Sequence, residues 1–443
     1  MHAFSDDDRR VLGEVLDWVV DRLTDPAGTP SAGAPSLPPV VGPVVGSGVG
    51  VEAAWRMLRD QVLPTAFPAD HPRYLAFVGG APTTAAVLAD AVLSAASVYG
   101  GSELEAGAVV RAERAAARWL CDLAGYPPES HGVFVSGGSL ANLSALVAAR
   151  HAGRRADGSL PDVIVAGGAA HSSVAAAAGI MGCTVVTVGA PDTRLCAADL
   201  KPVLDELPAT PVAVVATAGA TNTGVVDELD ELAATCAERG TWLHVDAAYG
   251  GAGLLVPQLR PLFAGIERAD SITIDPHKWL FTPFDCAGVL YRDPAPARAA
   301  HTQRAPYLEP VDEEAFDNPA DHAVHLTRRA RGLPLWFSLV ANGADGYAAA
   351  VAACLAAARA AARRIEASPV LELVADPQLS VVLFRRRGWA PDDYRRWSSR
   401  ARSSGLALVT PTTFAGRTVL RLCFVNPRTS ADDVELVLAS LEA

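Results

Sequence analysis

Lys278 stands in the run Ser271-Ile-Thr-Ile-Asp-Pro-His-Lys-Trp-Leu280, where an apolar strand ends at Asp275 and a Pro-His-Lys turn follows. A lysine at such a strand end, beside a histidine, differs from a solvated surface lysine. Desolvation and nearby positive charge lower an amine's pKa and free its neutral, nucleophilic form, which imine chemistry on a carbonyl requires. A snorkelling lysine is the ordinary alternative. Asp246 lies in His244-Val-Asp-Ala-Ala-Tyr-Gly-Gly251, again just after an apolar strand. A carboxylate there commonly caps a helix. It can also pair with a protonated ring nitrogen and keep that ring cationic. The turn Ser136-Gly-Gly-Ser-Leu-Ala-Asn142 joins a strand to a helix. Its glycines allow close backbone approach, and the helix start offers free N–H groups to a phosphate. It is neither GxGxxG nor GxxxxGK[ST]. His171 opens a helix after another strand, where an imidazole can stack on a flat ring. Thr221, in the hydroxyl-rich stretch 217–224, can donate a hydrogen bond to a ring substituent. Singly, each has a plain structural explanation. Together, five strand ends present a phosphate cradle, a flat imidazole, hydroxyls, a carboxylate and a lysine. A phosphorylated pyridine aldehyde needs that set.

The elements that must position these residues alternate. Short β-branched runs at 132–135, 163–166, 183–188, 212–217, 242–245, 271–274 and 288–291 are separated by alanine-rich helical stretches. Continuous apolar strands between helices predict an α/β fold with a mostly parallel sheet covered on both faces. Ligands of such sheets sit beyond the carboxyl ends of the strands. Upstream, 6–23 reads as an amphipathic helix and 26–50 as an uncharged Pro/Gly-rich linker or wrapping arm. Downstream, a long helix over 344–367, strands at 379–384 and 418–424, and helices at 391–404 and 430–441 form a smaller α+β unit. Ser430 is its last helix's expected N-cap.

Composition narrows the function. Of 443 residues, 50% are hydrophobic and 19% charged, which excludes a wholly disordered chain. With 37 basic against 49 acidic residues the net charge is −12, so neither a nucleic-acid nor an anionic-membrane partner is expected. Seven cysteines without a CxxC pair predict neither a disulfide framework nor a zinc module, and no metal is assigned. The polar, acidic start lacks a signal-peptide pattern, so a cytoplasmic setting is expected. The nearly uncharged stretch 163–191 reads as strand, helix, strand rather than a membrane span.

With His171, Asp246 and Asp275-Pro-His-Lys278 in place, the chain resembles the group II pyridoxal-phosphate (PLP) decarboxylases, the aromatic-L-amino-acid decarboxylase family. The matching stretches are 71–77 (HPRYLAF), 135–142 (VSGGSLAN), 171–173, 216–227, 244–251, 275–280 and 326–329, in family order across nearly the whole chain. The resemblance implies PLP fold type I: an N-terminal helix and arm over 1–75, a large seven-stranded PLP domain over 76–335 and a small C-terminal domain over 336–443. It implies a homodimer with sites at the interface. Lys278 would form the internal aldimine, and a quinonoid would follow loss of CO₂ from an L-amino acid. Asp246 would pair with the pyridine nitrogen, His171 would stack on the ring and Ala248 would pack on its other face. Gly138, Ser139, Asp275 and His277 would hold the phosphate, near Leu326 and Thr327 of a partner subunit. Some relatives have Asn where this chain has Asp275.

Tyr307, 29 residues after the lysine, matches the mobile-loop tyrosine that protonates Cα in this family. Members with Phe there tend to be oxygen-using aldehyde synthases, so Tyr favours simple decarboxylation. The alternatives are that synthase outcome, another fold-type I reaction such as transamination or carbon–carbon lysis, and a non-catalytic module on the same fold. Tyr74, Phe77 and Gly79 fall at the pocket mouth and would contact the substrate side chain. Arg328, Arg329 and Arg421 are read as structural or phosphate-side residues, because a tight clamp on a carboxylate about to leave would stabilise the ground state.

Overall fold

The computed structural model describes residues 4–27, 48–311 and 317–442. Seven strands form the large sheet: β1 His131–Val135, β2 Val163–Gly167, β3 Thr184–Val188, β4 Ala213–Thr217, β5 Leu243–Asp246, β6 Ser271–Ile274 and β7 Ala287–Tyr291. Their order is β1-β7-β6-β5-β4-β2-β3. The pairs among β2 to β6 are parallel, and β7 runs antiparallel to both neighbours, so β1 points the same way as the rest. Every run read as a strand is one, with ends shifted by a residue or so. The reason is burial on both faces: β4, β5, β6 and β7 are buried at every position, which demands uninterrupted apolar sequence. The stretch 163–191 is strand, the helix Ser172–Met181 and strand, as read.

Helices cover the sheet. The helix Gly138–Ala152 packs on β7 and β6, and Glu103–Leu123 packs on β1. The first helix, Asp6–Thr24, carries a Ser5/Asp8 capping box. It docks on the helix Val51–Met57 through an edge-to-face Trp18–Trp55 contact at 6.2 Å and Arg10–Glu52 at 2.6 Å. Most of the proline-rich arm, 28–47, lies outside the described residues.

Beyond Gly332 the expectations need correction. The long helix starts at Leu333 and runs to Glu366 with a break at Gly343, whose φ of +69° suits glycine. That break is why only its second half carried a helical signal. By length and composition this helix could cross a membrane. Its residues Tyr347, Val351, Cys354, Leu355, Ala358, Ala362 and Ile365 nevertheless recur on one buried face, and the helix packs on the helices Thr84–Ala96 and Glu103–Leu123 and on the small sheet. The small sheet has four strands in the order β10-β11-β9-β8: β8 Leu371–Ala375, β9 Val381–Arg386, β10 Thr410–Phe414 and β11 Arg417–Cys423. β8 and β10 escaped the sequence reading because they are half-buried edge strands of mixed polarity. The helices Pro391–Ser403 and Ala431–Glu442 fall where expected. Ser430 Oγ accepts from Asp433 N–H at 3.1 Å, as an N-cap does. All seven cysteines are free, five of them buried. The Tyr249 hydroxyl meets Ser380 Oγ at 2.5 Å and tethers the small sheet beneath the large one.

His71, His244 and His301 are buried, and burial pushes each imidazole down to about 4. The unfolded chain binds these protons near pH 6.5 and the folded chain only near 4. Unfolding therefore takes up protons in that window, and stability falls as pH drops through it, by about 1.4 kcal/mol per histidine per unit. Urea midpoints at pH 7 and pH 5 check this. An unchanged midpoint would contradict the neutral burial of these rings.

Candidate active site

The carboxyl ends of β1, β2, β4, β5 and β6 open onto one cleft of about 740 Å³. Its walls include Gly138, Ser139, Asn142, His171, Thr217, Thr221, Asp246, Ala248, Asp275, His277 and Lys278. Nine residues expected from sequence therefore share one lining: Gly138, Ser139, His171, Thr221, Asp246, Ala248, Asp275, His277 and Lys278.

At one end sits Asp246, 6% exposed. Its Oδ1 accepts from Ala248 N–H at 3.1 Å and its Oδ2 from Asn142 Nδ2 at 2.8 Å. Asn142 also donates to Ser173 Oγ at 2.9 Å, and its Oδ1 lies 3.1 Å from His244 Nε2. Ser173 Oγ meets His171 Nδ1 at 2.9 Å. His244 Nδ1 meets Ser271 Oγ at 2.8 Å, and that oxygen accepts from Trp242 Nε1 at 2.9 Å. One proton assignment satisfies the whole chain. His244 Nε2–H donates to Asn142, Ser271 donates to His244, and Ser173 donates to His171. Sequence reading quoted Asn142 but gave it no role. The available signal was its position one helical turn after Gly138, on the face that Gly138 presents to the cleft.

At the other end, Gly137 begins the helix Gly138–Ala152 with no side-chain cap. Free N–H groups and helix polarity there favour an anion. Gly138 has no room for a side chain, since a Cβ would lie 2.8 Å from Asp275 Oδ2. Asp275 Oδ1 and Thr217 Oγ1, both in the lining, are buried without hydrogen-bond partners among the described residues. A flat cleft with an uncapped helix start, orphaned polar atoms and a fixed carboxylate suits a phosphorylated ring.

Lys278 departs from expectation in its charge. Its Nζ lies 2.9 Å from Asp275 Oδ2. Burial works to lower its pKa, but Asp275 and Asp246 outweigh burial and hold it above the ordinary lysine value. The expected depressed amine is thus corrected: the nearest charges are negative, and His277 is kept neutral by burial. Cys286 N–H donates to His277 Nδ1 at 3.0 Å, which leaves the Nε2 proton facing Asp275 at 3.6 Å.

The remaining expected residues lie outside this lining. Tyr307 is 74% exposed in the turn Pro306–Val311. Phe77 is exposed at a φ of +52°, and Tyr74 packs on Phe67 and covers Gly79. The neighbouring Gly80 touches the lysine turn: a Cβ there would fall 2.1 Å from the Lys278 carbonyl. Leu326 accepts from the Tyr99 hydroxyl at 3.1 Å, and Thr327 is exposed. Arg328 is structural, paired with Glu113 at 2.6 Å and fully buried, and Arg329 pairs with Asp90. Arg421 donates to the Phe77 carbonyl at 2.8 Å, while its Nε and Nη2 have no hydrogen-bond partner among the described residues.

A seven-stranded, mostly parallel sheet with this cleft at its strand ends is that of a fold type I PLP enzyme. The model of the pyridoxal-dependent decarboxylase conserved domain matches residues 56–387. The chain belongs to that family of PLP-dependent amino acid decarboxylases. It is 30% identical over 396 residues to an aromatic-L-amino-acid decarboxylase of Bacillus atrophaeus, covering 84% of this chain and 81% of the relative. It is 34% identical over 409 residues to an L-2,4-diaminobutyrate decarboxylase of Rhizobium meliloti (strain 1021), covering 89% and 82%. A crystal structure of Oryza sativa TDC with PLP and tryptamine superposes with a TM-score of 0.91 at 26% identity, over 100% of this chain and 99% of that one.

Asn142→Ala removes the side-chain donor to Asp246 Oδ2 and leaves a buried anion under-bonded. An unsatisfied buried group of this kind costs about 1–3 kcal/mol. PLP affinity, followed by fluorescence titration, should weaken about tenfold or more, with the fold retained by circular dichroism. Wild-type affinity in the variant would show that Asn142 does not fix the carboxylate.

Proposed function

We propose that this chain decarboxylates an L-amino acid to its amine in the cleft built on Lys278 and Asp246. One observation carries the reading: the amine and the carboxylate share a cleft whose far end is an uncapped helix start. PLP, when bound, supplies a cationic ring that accepts the electrons left by CO₂. Asp246, fixed by Asn142, faces the ring nitrogen and holds its proton. His171, held through Ser173, and Ala248 take the two ring faces, and Thr221 reaches a ring substituent. Gly138, Ser139 and His277 surround the phosphate. Asp275, beside that dianion, is compensated by the His277 Nε2–H. Lys278 is the amine that carries the cofactor, which requires its pair with Asp275 to open. Tyr307 is the proton donor to Cα, reaching the site from its exposed turn.

The same reading divides the chain into an arm to 75, a PLP domain to 335 and a small domain beyond. It also makes the protein a cytoplasmic homodimer in which Leu326 and Thr327 approach the partner's phosphate. Apolar side chains left exposed in one chain support the dimer: Leu12, Leu16 and Val20 along the first helix, Leu88 and Val92 on Thr84–Ala96, and Phe337 and Val340 on the neighbouring Leu333–Glu366. Tyr74, Phe77 and Gly79 remain the candidates for contact with the substrate side chain.

Lys278→Ala should give a folded protein without the visible absorbance of covalently held PLP, and an unchanged spectrum would reject the lysine assignment. Tyr307→Phe should cut amine production about 100-fold or more and bring oxygen consumption, followed with an oxygen electrode. An unaltered amine yield would remove Tyr307 from the chemistry. A panel of amino acids, aromatic and diamino included, scored by mass spectrometry for amine against aldehyde, separates decarboxylation from the synthase outcome.

A further inference from the structure

His131, Asp317 and His322 meet at the opposite end of the large sheet from the cleft. His131 begins β1, whose far end leads into Gly137 and Gly138 about 16 Å away at strand rise. His131 Nδ1 lies 3.4 Å from Asp317 Oδ2, and His322 Nε2 lies 2.8 Å from Asp317 Oδ1. The two rings face each other with centroids 4.1 Å apart. One donor atom from each residue falls within 4.8 Å of the other two. None of the three has a part in the decarboxylase reading.

We propose that these side chains form a binding site for one divalent transition-metal cation of the zinc class. Two imidazole nitrogens and a carboxylate oxygen are the donors such ions take, whereas calcium and magnesium prefer all-oxygen sets. Donors bound about 2.0–2.1 Å from a tetrahedral centre stand about 3.4 Å apart. The His131–Asp317 separation already matches that edge, and His322 need only move from Asp317 by a fraction of an ångström. Water completes the fourth position. A small cavity lined in part by His131, Asp317, Arg114 and Glu113 adjoins the cluster. Arg114 is the competing cation, with Nε 3.5 Å from Asp317 Oδ2. It also holds Glu103 at 3.0 Å and keeps that partner when the ion arrives. The bound ion staples the chain around the turn Pro319–Asp321 to the edge strand β1 and makes the site structural rather than catalytic.

The test uses the full-length enzyme with PLP, treated with chelator, dialysed and titrated with Co²⁺. We expect one equivalent per chain with the intense visible bands of tetrahedral Co²⁺, displaced by Zn²⁺, and a higher Tm with Zn²⁺ than without. Asp317→Asn, which keeps the size of the side chain but removes the anionic donor, and His322→Gln should each lose that equivalent or bind at least tenfold more weakly. Chelation by PLP itself is the same in all three proteins and cancels. Wild type that binds no Co²⁺, or binds it no better than the variants, overturns the proposal. If His322→Gln does not fold, Asp317→Asn alone decides between these outcomes. The spectrum of bound PLP lies outside the comparison, so this site stands or falls apart from the decarboxylase reading.

Discussion

A single buried carboxylate organises the cleft. Taking Asp246 out of water is costly unless both oxygens are satisfied. Ala248 N–H and Asn142 Nδ2 satisfy them. Asn142 has no freedom left, because His244 and Ser173 occupy its remaining hydrogen-bonding capacity. The chain of bonds thus runs through β5, β6, the helix Gly138–Ala152 and the start of Ser172–Met181, and ends on the imidazole of His171. Moving any of these elements would strand a polar group inside an apolar sheet. The imidazole of His171 and the carboxylate of Asp246, proposed to meet the ring face and the ring nitrogen, are set by one network rather than by separate contacts.

The electrostatic layout has two poles. Asp246 places a carboxylate at one end, where it would favour a cationic ring. The start of Gly138–Ala152 supplies partial positive charge at the other, where it would favour a phosphate. Lys278 lies between, paired with Asp275. The protein is net acidic, yet the local field suits a ligand with an anionic and a cationic end. Global charge alone had excluded polyanionic partners and said nothing about this pocket.

Strand positions in the large sheet were legible because two-sided burial leaves an unbroken β-branched run, as in Ala213–Thr217 and Ser271–Ile274. Residues at the strand ends were legible because polar groups immediately after such runs have few structural reasons to be there. Asn142 was not, since an asparagine in the first turns of a helix reads equally well as a cap or a surface residue. The charge state of Lys278 was not, because it depends on which way Asp275 turns three residues earlier. The small sheet was half legible: β9 and β11 are buried, while β8 and β10 are edges whose sequence need not be apolar. The grouping of His131 with Asp317 and His322 leaves no trace in spacing, since it joins residues nearly two hundred positions apart.

The division of the site between rigid and exposed parts has a physical basis. Groups that hold a cofactor must be placed to a fraction of an ångström, and the candidates here stand at strand ends, with Asp246, Asp275 and His277 buried and Asp246 tied by hydrogen bonds. A group that donates a proton late in a reaction must admit substrate first and release product afterwards, which a fixed wall cannot do. Tyr307, exposed on a short turn, fits the second task better than the first, in keeping with its proposed role as proton donor. Tyr74 and Phe77 lie outside the cleft lining, and Phe77 is exposed. Nine residues proposed to hold the cofactor line one cleft within a single polypeptide. The proposed second subunit would add Leu326 and Thr327 beside the phosphate and close the side that meets the substrate.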